Sequence, residues 1–138
     1  MKIYIYIAIP LVIALVLFLA WKYKPVRINK NYFYDAWKKL QLNLKVKKTW
    51  PIAINEADKL LDQALKQKHF KGRTMGERLV SAQRIFSDND SVWFGHKLNS
   101  KLIINPTMKL TKTDTKEALL GFRKALQDLG ALPNGKTK

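Results

Sequence analysis

Cysteine is absent from the 138-residue chain. That excludes disulfides, thiolate zinc sites, iron–sulfur clusters and cysteine nucleophiles together. Histidine is almost absent as well: two residues are too few for a histidine-rich metal centre. Acids are scarce, with 10 Asp and Glu against 26 Lys and Arg, a net charge of +16. Strand-like alternation is confined to the segment IYIYI at Ile3–Ile7, which lies inside a longer apolar run. No internal repeat is visible. What the chain does have is apolar content, 47% of its residues, which rules out a low-hydrophobicity basic tail. The length allows one compact domain.

The apolar content is unevenly placed. From Ile3 to Trp21 the chain runs for nineteen residues without a charge. As a helix that run spans ~28 Å, against ~30 Å for the hydrocarbon core of a bilayer. Tyr4 and Tyr6 stand at one end, Trp21 and Tyr23 at the other, where amphipathic rings meet the two membrane–water interfaces. Pro10 interrupts the hydrogen-bond ladder, which membrane helices tolerate. A cleaved signal peptide would have a shorter apolar stretch and small residues before its cut, and Phe18-Leu19-Ala20 does not supply them. A core helix of so small a protein would not be apolar on every face. The run predicts a single-pass transmembrane anchor.

The flanks set its direction. Lys2 alone precedes the run, whereas Lys22, Lys24, Arg27 and Lys30 follow it within ten residues. Cationic flanks stay on the cytoplasmic side, so the expected location is the cell membrane, with the N-terminus outside and the rest cytosolic. The lack of cysteine agrees with a reducing compartment. Residues 22–50 carry nine Lys or Arg and one acid, +8, and residues 51–138 only +7 over three times the length. These four juxtamembrane cations are candidates for binding anionic inner-face lipids, at ~1 kcal/mol each. They also serve topology and solubility alone.

Beyond the collar the pattern is helical. Tyr32, Phe33, Ala36, Trp37, Leu40 and Leu44 predict a first amphipathic helix over about 31–47. Thr49 then caps a new helix or restarts the same one with a kink, with Pro51 in its first turn. Ile54, Ala57, Leu61, Ala64 and Leu65 form its buried stripe, ending near Lys68. Thr74-Met75-Gly76-Glu77 fits a capping box before a short helix with Met75, Leu79, Ala82 and Phe86 on one face. The cluster Ser87-Asp88-Asn89-Asp90 starts another helix over about 88–103, ended by Asn105-Pro106. Thr113 or a neighbour caps the last helix, and Gly130 stops it. The expected fold is all-α: an N-terminal single transmembrane helix (1–21), a basic linker (22–30), a small four- to five-helix bundle (31–133) and a flexible tail (134–138).

The richest polar segment runs from Asp90 to Lys101. His96, Lys97, Asn99 and Lys101 are its candidate polar interaction site, with Val92, His96, Asn99 and Ile103 on one side of the helix. His96 has the chemistry of a general acid or base, but no nucleophile or carboxylate triad accompanies it, so a packing residue bonded to a neighbouring helix is the favoured reading. Asp58 and Asp62, one turn apart, have metal-pair spacing, and Lys59 and Lys66 beside them favour a solvated charged face.

Three segments carry a resemblance: Ala57–Asp62, Thr74–Leu79 and Trp93–Ile104. Together they resemble the helical bundles of the HEPN superfamily over about 73 residues. The resemblance implies an Arg-Asn pair followed by His as the ribonuclease motif. This chain has Asn99-Ser100 and Ile104-Asn105 at those places. Asn supplies no guanidinium to a phosphate and Ile shuttles no proton, so the resemblance implies a degenerate, non-cleaving module.

The string from Gly130 to Thr137 copies the letters of a phosphate-binding loop, but a helix precedes it where a strand is required. Cations alternate with rings at Tyr32–Trp37–Lys38–Lys39 and Lys47–Lys48–Trp50, the chemistry of single-stranded nucleic acid binders. The sequence therefore predicts a membrane-anchored helical interaction or scaffold module, without enzymatic activity, cofactor or metal. Its partner is an unidentified protein, a second copy being one candidate. Membrane-tethered RNA binding by a HEPN-like domain is the alternative.

Overall fold

The computed structural model describes residues 2–23 and 27–135. Lys24 of the basic collar and Lys136–Lys138 of the tail lie outside the described residues, and with them the Lys and Thr of the loop-like string. Among the described residues there are six α-helices and no strand: α1 (Lys2–Lys22), α2 (Lys30–Gln41), α3 (Trp50–Gln67), α4 (Met75–Ala82), α5 (Asn89–Ile104) and α6 (Lys112–Asp128). The chain is all-helical: one apolar N-terminal helix, then a five-helix bundle. Helix α1 is long and apolar enough to cross a membrane, contains Pro10, and buries none of its residues.

Helix α2 starts where the Asn29 side chain accepts from the Tyr32 N–H at 3.2 Å, and it buries Phe33, Trp37 and Leu40. It stops at Gln41, six residues short of the expected end. Two single 3₁₀ turns follow, Leu42–Leu44 and Lys47–Thr49, with Val46 extended between them. Side chains satisfy the carbonyls that the break exposes. Thr49 Oγ1 lies within hydrogen-bond reach of the Asn43 and Val46 oxygens, and the Trp50 indole donates to Leu44 O at 3.0 Å. These local bonds compete with continued helix and win.

The other boundaries follow their caps. Pro51 sits in the first turn of α3. Thr74 accepts from the Glu77 N–H at 3.2 Å, while the Glu77 carboxylate reaches back to the Arg73 N–H, one residue before the cap. Asp88 caps α5 through the Ser91 N–H at 3.1 Å, and Thr111, two residues before the expected position, caps α6 through the Asp114 N–H at 3.0 Å. Gly130, at φ +77°, closes α6, and the Ala131 N–H returns to Leu126 O at 2.8 Å. This turn sends Ala131 and Leu132 back into the core.

The core is built around α3, which buries Ala53, Ile54, Ala57, Leu60, Leu61, Ala64 and Leu65 against α2, α4, α5 and α6. The closest helix pair is α5 with α6, antiparallel, since Ser91 meets Gly121 while Gly95 meets Ala118 and Phe122. A β-carbon on Gly121 would lie 2.5 Å from the Ser91 carbonyl oxygen, and one on Gly95 2.8 Å from the Phe122 ring. Two glycines thus set the separation of the pair. Gly121→Ala should lower stability by about 1–3 kcal/mol through backbone displacement. Gly76→Ala in α4, where no atom comes closer than 3.7 Å, should be neutral or stabilising by up to about 1 kcal/mol. Thermal unfolding of the two full-length variants, followed by circular dichroism, checks the contrast.

Candidate functional site

Asp58, expected on a solvated charged face, instead lies on the buried face of α3 with Ile54, Leu61 and Leu65. Asp58 is 7% exposed. One oxygen meets His96 Nδ1 at 2.9 Å and the other accepts from Asn99 Nδ2 at 2.9 Å. His96 and Asn99 are three residues apart on α5, so both reach the same carboxylate. One turn further along α3, Asp62 accepts a two-pronged bond from Arg78 of α4, Nε at 2.7 Å and Nη2 at 3.0 Å, with Lys66 at 3.3 Å. The same guanidinium donates to Gly72 O at 2.8 Å, which ties the loop before α4 to the cluster. The two acids therefore hold separate partners on separate helices, and Asp58 is no part of a solvated face. No group of three metal-ligating side chains occurs among the described residues.

Of the candidate polar site, the structure brings His96 and Asn99 together on Asp58. Lys97 and Lys101 are exposed and make no ion pair among the described residues. Ile103, expected on the same side, is 65% exposed, and Leu102 is buried in its place. Asp58 holds the imidazole through Nδ1, which leaves Nε2 for proton transfer. The nearby Ser100 hydroxyl is turned away to the backbone oxygen of His96, to which it donates at 3.1 Å. Asn99 Oδ1 is buried without a partner among the described residues. The Trp93 ring stands edge-on to the imidazole at 6.0 Å between centroids.

The hydrogen bond to Asp58 raises the His96 pKa above its ordinary 6.5; burial opposes this, and the charges of Asp58 and Asp62 add to it. For Asp62, burial pushes the carboxyl up, but the hydrogen bonds and charges of Arg78 and Lys66 outweigh it, and the net shift is downward.

A second feature was invisible in the sequence. Helices α2 and α6 both pack on α3 and not broadly on each other. Between them an open groove of about 280 Å³ is lined by Trp37, Leu40, Leu44, Trp50, Leu119 and Leu120, with Lys112, Lys116 and Arg123 along the α6 rim. No acid lines it. Its size is near the lower end for ligand pockets. The collar residues Lys22, Arg27 and Lys30 are exposed. No family model, curated protein sequence or solved structure matches this chain.

A raised histidine pKa stabilises the fold fully below the unfolded value of about 6.5, and that contribution is lost as pH rises through the folded value. The urea midpoint should therefore fall on going from pH 6 to pH 9, and His96→Gln should flatten that slope. NMR titration of His96 in the full-length protein checks the direction: a midpoint at or below 6.5 would overturn it.

Proposed function

We propose that this chain is a membrane-anchored, non-enzymatic interaction module. Helix α1 holds it in the cell membrane with the N-terminus outside, and the basic bundle faces the cytosol. Lys22, Lys24, Arg27 and Lys30 rest against anionic lipid headgroups. The bundle presents its surface to a protein partner. One observation carries the reading. The acids of the polar cluster spend both their oxygens on neighbouring helices, Asp58 on His96 and Asn99 and Asp62 on Arg78, whereas the apolar α2–α6 groove is left open. Acids paired between helices fit the holding of a scaffold, and an open groove fits the taking of a partner.

Because the chain has no cysteine, single introduced cysteines report its topology. Lys2→Cys should react with a membrane-impermeant maleimide on intact cells, and Lys97→Cys only after lysis. The reverse pattern, or extraction of the full-length protein by alkaline carbonate, would overturn the proposed arrangement.

The alternative is RNA binding by a HEPN-like module with Asn99 and Ile104 at the degenerate positions. Cations beside aromatic rings favour it: Lys38 Nζ stands 5.2 Å from the centre of the Tyr34 ring, which is 45% exposed, and Lys47 Nζ 5.9 Å from that of the half-buried Trp50. Stacking of one base is worth about 1–3 kcal/mol, roughly five- to 150-fold in affinity. On the interaction-module reading, Tyr34→Ala leaves the affinity for a labelled single-stranded RNA unchanged at every salt concentration. A tenfold loss would put the RNA reading first.

A further inference from the structure

We propose that the groove between α2 and α6 receives an acidic amphipathic helix from a protein partner. The inference rests on the interaction-module reading and names the partner's chemistry. On α6 the lining residues are Lys112, Thr115, Lys116, Leu119, Leu120 and Arg123. They form one stripe three turns long, ~16 Å from end to end. The facing wall comes from α2 and the turn after it. Two helices splayed over a third leave the slot of a missing fourth, and amphipathic helices dock in such slots with anchors at i, i+3, i+4 and i+7. Leu120 is 45% exposed at the mouth of the slot, although it belongs to a helix whose neighbouring Leu119 is buried.

Charge selects the occupant. Lys112, Lys116 and Arg123 make no ion pair among the described residues, and no acid lines the groove. A helix with acids flanking an apolar stripe meets all three cations along the groove. A lipid carries its anionic head at one end and leaves the far cation unmatched. A second copy of this chain is a poor occupant, because the chain is +16 and α2 has three Lys to one Asp. Helix α3 alone has more acids than bases, three to two, and it is the buried centre of the bundle.

The test uses full-length protein in nanodiscs of zwitterionic lipid and two labelled model helices of about 18 residues, five turns each. Both carry the same leucine stripe, one flanked by Glu and the other by Lys. The Glu helix should bind at least tenfold more tightly than the Lys helix. Lys116→Glu with Arg123→Glu, both exposed positions, should reverse that order, and Leu120→Asp should weaken both. Equal binding of the two helices, or an order unmoved by the charge reversal, overturns the acidic partner while leaving a groove that takes helices. Binding of neither helix, with Lys116-dependent capture of phosphatidylglycerol vesicles or RNA instead, overturns the interaction-module reading as well. Self-association abolished by Leu120→Asp would assign the groove to a second copy and overturn the proposal.

Discussion

A carboxylate sits at the middle of the one helix on which the rest of the bundle packs, and the other helices are placed by what it requires. Burying Asp58 without partners would cost several kcal/mol. Its two oxygens are met by two donors one turn apart on α5, His96 and Asn99, and this fixes the rotation and register of α5 against α3. Register then passes to α6 through backbone approach: Gly121 admits the Ser91 carbonyl and Gly95 admits the Phe122 ring, so α6 lies where α5 puts it. Apolar contact alone would tolerate a sliding helix, since dispersion and burial are not directional. The buried polar contacts at Asp58 and the two glycines are directional, and they convert a set of amphipathic helices into one arrangement.

The same chain of dependence shapes the groove. One wall, α6, is positioned from Asp58 through α5. The other, α2, is held by Phe33, Trp37 and Leu40 and touches α6 only slightly. Its early end matters too, because the turn that follows it supplies part of the lining. The break at Gln41 turns Leu44 and Trp50 into the wall, with the Trp50 indole pinned to Leu44 O.

Much of this was legible in the sequence, and the parts that were not share a cause. Helix existence, the stripe of α3, the caps at Thr74 and Asp88 and the stop at Gly130 are local, encoded within a turn or two of the residues that carry them. The break of α2 is hidden in the sequence because the apolar period continues through Leu44, while the bonds from Thr49 and Trp50 that accompany the break come from further along the chain. The true cap of α6, Thr111, is not singled out by the sequence because Thr113 offers the same chemistry two residues later. Asp58 stood in the apolar stripe as a visible signal, but its partners are 38 and 41 residues away. A groove between two helices is still less local, since it depends on the angle between elements that hardly touch.

The scarcity of acid gives the charge of the surface its meaning. Six of the ten acids, Glu56, Asp58, Asp62, Glu77, Asp88 and Asp128, are engaged in caps, loop ties or interhelix bonds among the described residues. Few remain to neutralise 26 Lys and Arg, so Lys22, Arg27 and Lys30 of the collar and Lys112, Lys116 and Arg123 of α6 make no ion pair among the described residues. Screening limits each group to about a Debye length, ~8 Å at physiological salt, so these cations act on what comes close to them. In the proposed arrangement the anchor compensates for modest contact strength. A partner confined to the same membrane meets the groove at high effective concentration, and a short acidic helix then suffices where two freely diffusing proteins would need a larger interface.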